Sequence, residues 1–261
     1  MLKNSSVWRS VYCAWDLCCD IALPAVLRPN HEQNNQNTFF CNVLYVMPIL
    51  GALLGLFWLI IGRIAAGLLP VNGAALIFAL LLTGFGELRT SGRALALVVS
   101  FLENIFKHKN FITAVSLRKN TLHNNASLLE LLLAVGLLGG KFFAVFLTAR
   151  TGHFGIAGAA FTIALGCEAI MAAEPAAIGM MDSCRHARTE YIVGIIGFLL
   201  LFNLISLPLA TLITTAAAVV IAVVIINMLL RKIGKITSDD MSMTGYILEF
   251  AVWLIMAILI G

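Results

Sequence analysis

Charge is scarce in this sequence. Its 261 residues include 17 Lys and Arg and 13 Asp and Glu, 11% of the chain, where a soluble globular domain carries about a quarter. With 61% hydrophobic residues and a mean hydropathy of +0.97, that scarcity excludes an ordinary soluble domain. Period-two alternation of polar and apolar residues is also missing, which excludes a transmembrane β-barrel. There is no internal repeat to support an inverted-repeat transporter, and no glycine-rich phosphate loop: Gly139, Gly140, Gly155 and Gly158 lie inside apolar runs, where small residues let helices approach. The six cysteines (Cys13, Cys18, Cys19, Cys41, Cys167 and Cys184) show no CxxC spacing. The adjacent thiols of Cys18 and Cys19 are poorly placed to share one tetrahedral ion, so free or structural thiols are expected. No cleaved signal peptide is expected either, because Asp16 and Asp20 interrupt the early apolar stretch.

What the chain does have is long apolar runs. Residues 43–61, 66–86, 126–148, 154–181, 191–206, 209–230 and 244–260 form seven of them, against a requirement of about 20 residues for a helical crossing. The 191–230 stretch reads as two short helices broken near Pro208 or as one kinked helix. With seven spans, alternate loops carry 14 Lys and Arg on one side and only Arg63 and Arg150 on the other, with Lys141 inside a span. This asymmetry places the N-terminus in the cytoplasm and the C-terminus outside. The expected fold is therefore all-α and polytopic, with residues 1–42 as a cytoplasmic, interfacial segment and 43–261 as the membrane domain. Trp8, Tyr12, Trp15 and Leu23 suit a helix lying in the interface. Residues 31–37 read as a polar linker, and 94–106 as a short amphipathic helix on the membrane surface. The net charge of +4 belongs to juxtamembrane cations that meet lipid headgroups, so lipid rather than nucleic acid is the expected partner.

Four charges fall within predicted spans: Glu130, Lys141, Glu168 and Glu174. Such charges are costly and mark a function or a pair. Glu130 and Lys141 share a helix face but lie about 16 Å apart along the axis, so they do not pair with each other. Glu130 is near a span end, where it can snorkel. Lys141 is deeper and needs a partner on another helix. Glu168 and Glu174 face different ways around their helix.

The segment LLRKIGKITSDDMSMTGYILEFAVWLIMAIL resembles the closing motif of the cobalamin synthase family, adenosylcobinamide-GDP ribazoletransferases. That motif is a basic stretch, then G-x-T-G-D-T-x-G and two glutamates at the start of the last span. Gly234, Thr237 and Asp239 fall in register, Glu249 stands at the second glutamate and Tyr246 at the first. IALPAV (21–26), YVMPILGALLGLFW (45–58), ALIFALLLTG (75–84) and LRKNTL (117–122) are similar to further family segments, in the same order.

The departures fall on the chemistry. After T-G-G the family carries H-x-D-G-x-A-D-x-x-D-G, three carboxylates on one helical face that suit Mg²⁺ against a pyrophosphate. In this chain that register, TGFGELRTSGRALA, gives Arg89, Arg93 and Ala96, with Glu87 at the histidine. In the 117–122 segment Arg118 remains, while Lys119 and Thr121 replace an acid and an arginine.

The resemblance implies a bacterial cytoplasmic-membrane enzyme that moves cobinamide phosphate from a GDP-linked corrinoid to a ribazole acceptor, releasing GMP. Carried onto this sequence, it makes Asp239, Asp240 and Glu249 the catalytic candidates and Asp239, Glu249 and Glu87 the Mg²⁺ candidates. Arg89, Arg93 and Arg118 become phosphate-binding candidates; Arg89 and Arg93, four residues apart, would share a face if their segment were helical. The reversed charge points equally to a catalytically inactive paralogue with a binding or scaffold role among membrane-associated corrin-pathway proteins. A small-solute transporter using Glu168 and Lys141 is the third reading.

Overall fold

The computed structural model describes residues 6–19, 36–108, 127–174, 177, 188–203 and 208–260. Among these it has nine helices: α1 (Ser6–Cys18), α2 (Gln36–Leu68), α3 (Val71–Arg89), α4 (Arg93–His108), α5 (Leu128–Arg150), α6 (Ile156–Ala173), α7 (Thr189–Asn203), α8 (Pro208–Ile233) and α9 (Ser238–Ile260). The strand-like pairing within the described residues is one parallel bridge, Ala177 to Ile236. Among the described residues the architecture is thus all-helical, consistent with a helical membrane protein. Five stretches are long and apolar enough to cross a bilayer: Val43–Leu68, Val71–Arg89, Leu128–Arg150, Ile156–Ala173 and Ser238–Ile260. Two shorter apolar stretches, Thr189–Leu201 and Ala216–Arg231, accompany them. The 191–230 region is accordingly two helices, with Pro208 in the first turn of the second, where its missing N–H costs nothing.

The centre of the bundle is α6. Its sequence, IAGAAFTIALGCEAIMAA, is small and apolar apart from Thr162 and Glu168, and every residue but Ile170 is buried. A helix with no polar face belongs inside. It lies against α2 at near-backbone contact. A methyl group on Gly51 would come within 2.6 Å of the Phe161 carbonyl oxygen, and one on Gly55 would run into the Gly158 backbone. Glycines four apart on α2 are what let two helices pack this closely. By contrast α5 turns Leu131, Leu132, Val135 and Phe143 outward.

Several boundaries differ from the sequence reading. The sixth helix ends at Ala173 rather than 181, because Glu174 takes the extended conformation (ψ 138°) that a following proline favours. Glu174 is therefore a C-cap residue, one position past the end of α6. The last helix starts at Ser238 rather than 244, so Asp239 and Asp240 lie in its first turn. The region 87–93 is not one helix. Ser91 (φ 49°) and Gly92 (φ 71°) adopt left-handed conformations, and the Gly92 N–H closes back on the Glu87 carbonyl at 2.8 Å. Such a closure ends a helix. Arg89 and Arg93 consequently close one helix and open the next, and do not share a face. The 94–106 segment is helical, but Ala94, Leu97, Val98 and Phe101 pack with Met243 and Tyr246 of α9.

The turns sort to two ends. Gly62 of α2 meets the Phe154 ring in the α5–α6 turn at one end. At the other, Tyr45 and Tyr191 stack edge to face with ring centroids 6.3 Å apart. The α3–α4 turn and the head of α9 share that second end. The N-terminal helix packs on α2 with Ser10 and Ala14 buried.

Candidate functional site

Three helices bring charge into the bundle at one place. From α3 come Glu87 and Arg89, from α5 Lys141, and from α9 Glu249 and Tyr246. Glu249 is the hub, only 1% exposed: its Oε1 lies 2.9 Å from Lys141 Nζ and its Oε2 lies 3.6 Å from Arg89 Nη2. Lys141 is also 1% exposed and has Glu87 Oε1 at 3.9 Å on its other side. The Tyr246 ring covers the ammonium at 4.6 Å. Tyr246 and Glu249 are three apart on α9, so both reach Lys141 from one helix face. Gly86 completes the surround, since a methyl there would stand 3.0 Å from Lys141 Nζ.

Arg89 is as buried as its partner, at 3% exposure, and its guanidinium lies 6.0 Å from the centre of the Phe161 ring on α6. Glu168, also on α6, is buried nearby, where it feels both Arg89 and Glu249. Its carboxyl is pressed against Gly245 so closely that any side chain there would collide with it. A buried ion taken from water is costly unless opposite charges compensate it, and removing one member leaves the others stranded. The cluster is therefore either intact or strongly destabilising.

A second pair lies nearer the end of the bundle. Arg93, at the head of α4, hydrogen-bonds Asp239 at the head of α9, with its side chain 58% exposed. Asp240 has a different task. Its carboxylate accepts from the Thr237 N–H at 2.8 Å and from the Thr237 hydroxyl at 2.6 Å, while the Asp240 N–H reaches back to that hydroxyl at 3.4 Å. This reciprocal arrangement caps α9.

Glu130 does the same for α5 in a capping box with Ser127. The Ser127 hydroxyl also donates to Glu103, which has Lys107 at 2.7 Å and the Glu130 side chain beside it. Burial alone would raise the Glu103 pKa. The hydrogen bonds from Lys107, Ser127 and the Glu130 side chain outweigh it and hold the carboxyl below its ordinary value.

Of the residues singled out from sequence, Arg89, Lys141, Glu249, Glu87 and Glu168 converge, and Arg93 joins Asp239. Asp240, Glu130 and Glu174 sit at helix ends, and Arg118 lies outside the described residues. Cys184 lies outside them too, while Cys13 and Cys167 are free thiols. Glu103 and Ser127 escaped the sequence reading, although S-x-x-E before an apolar run is a capping signature.

The donor set does not suit Mg²⁺. Asp239 faces Arg93, Glu249 faces Arg89 and Lys141, and Glu87 faces Lys141. Asp239 and Glu249 are ten residues apart on one helix, hence about 15 Å along its axis. Among the described residues no three acids, histidines or cysteines gather around one point.

The two segments that carry the sequence resemblance nevertheless meet, through Arg89 to Glu249 and Arg93 to Asp239. No family model matches this chain, and no curated protein or solved structure matches it either.

Proposed function

We propose that this protein is a catalytically silent relative of the cobalamin synthases, a seven-span protein of the bacterial cytoplasmic membrane with its N-terminus inside, serving a binding or scaffold role in corrinoid assembly. One observation carries the reading: the arginines at two of the three positions of the family's acidic motif are ion-paired to the acids of the closing motif. In the enzymes, Mg²⁺ held by carboxylates is expected to neutralise the transferred phosphates. In this chain the cations are covalently attached side chains, and they already face the carboxylates. Arg89 has its guanidinium committed to Glu249 in a buried setting, which leaves Arg93, half in solvent, as the arginine of the pair that can reach a phosphate. The closure of the α3 and α9 charges on each other favours inactivity over a rearranged active site. The Lys and Arg asymmetry of the loops and the five long apolar helices support the membrane topology.

Complementation is the direct test. Expressed alone in a strain lacking its cobalamin synthase, the chain is expected not to restore growth that depends on completed cobalamin, although it reaches the membrane. Growth equal to that given by an intact enzyme would overturn the reading. Reporter fusions after residue 108 and after residue 260 are expected on opposite faces; the same face would overturn the seven-span topology.

A further inference from the structure

The surroundings of Lys141 have the form of a binding site rather than of a simple ion pair. An amine on a four-carbon stem enters from α5. Facing it are a carboxylate oxygen of Glu249 at 2.9 Å, one of Glu87 at 3.9 Å and the face of the Tyr246 ring at 4.6 Å. Gly86 supplies the space, because any larger residue would crowd the ammonium. Two carboxylates and an aromatic face, buried together, are what a protein uses to hold an organic ammonium ion. The Lys141 amine and the Oε1 of Glu249 are buried without a hydrogen bond, and the hydrogen bond of Glu87 is with the Tyr246 side chain rather than with the amine. The interaction of the two carboxylates with the amine is therefore chiefly that of charge with charge, which does not require the amine to be tethered.

We propose that Glu87, Glu249 and Tyr246 form a binding site for a primary ammonium group, occupied in the native protein by Lys141 as a tethered ligand that pins α5 to α3 and α9. This deepens the reading above, for it assigns the cation that neutralises the closing-motif acids from within the bundle. It extends to stability as well: a fold pinned in this way holds its acids together without divalent metal.

The experiment uses the full-length protein in detergent, with no corrinoid present, so its outcome is separate from that of complementation. Lys141→Ala removes the three carbons and the nitrogen that n-propylammonium restores. The variant is expected to melt several degrees below the parent and to recover most of that loss, saturably, when n-propylammonium is added. Mg²⁺ is expected to give no comparable recovery. The parent, its site filled, is expected to respond to neither. Lys141→Ala combined with Glu249→Gln is expected to lose the response to the amine.

No recovery with the amine, equal recovery in the parent, or recovery with Mg²⁺ alone would overturn the proposal. If Lys141→Ala does not survive purification, Lys141→Met with Glu249→Gln decides the matter. Greater stability in that double variant than in Glu249→Gln alone supports the site, and a loss equal to the sum of the single losses overturns it.

Discussion

Arg89 and Arg93 are the same residue four positions apart, yet they lie in two different electrostatic regions. Arg89 closes α3 and points inward to a carboxylate that also serves Lys141, with all three side chains almost wholly buried. Arg93 opens α4 and meets Asp239 with more than half of its side chain in solvent. The turn at Ser91 and Gly92 separates them. Water and ions screen the outer pair, so its net worth is small. The inner group has no such screening, and each member depends on the others. Spacing in the chain therefore says little about the worth of a charge; the helix end it occupies says much more.

The contrast can be broken most severely at Glu249. Glu249→Ala leaves Lys141 and Arg89 buried together without their shared carboxylate, and is expected to cost about 3–5 kcal/mol, read as a loss of folded protein in detergent during denaturant titration. A loss below about 1 kcal/mol would mean that water reaches the cluster.

A smaller effect is expected at Ser127, which belongs to neither pair but caps α5 and donates to Glu103. Ser127→Ala is expected to cost about 1 kcal/mol. The pH dependence follows from Glu103, whose pKa is held below its ordinary value of 4.5. Its contribution is present above that pH and disappears as the pH falls through the lower, folded value. The penalty of Ser127→Ala is thus expected to shrink in acid, and a penalty that grows as the pH drops would contradict the assignment.

The smallest effect belongs to Arg93→Ala. With its side chain mostly exposed, it is expected to change stability by about 0.2–1 kcal/mol, and the change is expected to fade as salt is added. An effect as large as that of Glu249→Ala would erase the distinction between the two regions.

How far the sequence reached depends on which physical rule was at work. The long apolar runs announced the helices, since burial in lipid needs little else. The cost of a lone ammonium announced that Lys141 needs a partner on another helix. The identity of that partner was not legible, because periodicity along one helix does not say which helix faces it. The motif resemblance singles out Glu249 as a catalytic residue and metal ligand rather than as a counterion. Other signals were present in the chain but carried a different meaning. The Ser-Gly of 91–92 is turn chemistry that separates the two arginines. Thr237 followed three residues later by Asp240 is a capping pattern, where the resemblance suggested catalysis. Glu174 precedes a proline, which placed it outside its helix.

The pairing of Lys141 with Glu249 also fixes an order of events during synthesis. Lys141 enters the membrane with α5, and the carboxylate that accommodates it arrives only with α9, the last of the described helices. Until then the amine sits among segments that lack its closest counter-charge, and Glu87 on α3 is the earlier of its two acids to be made. The unfinished bundle is consequently held together less firmly than the finished one.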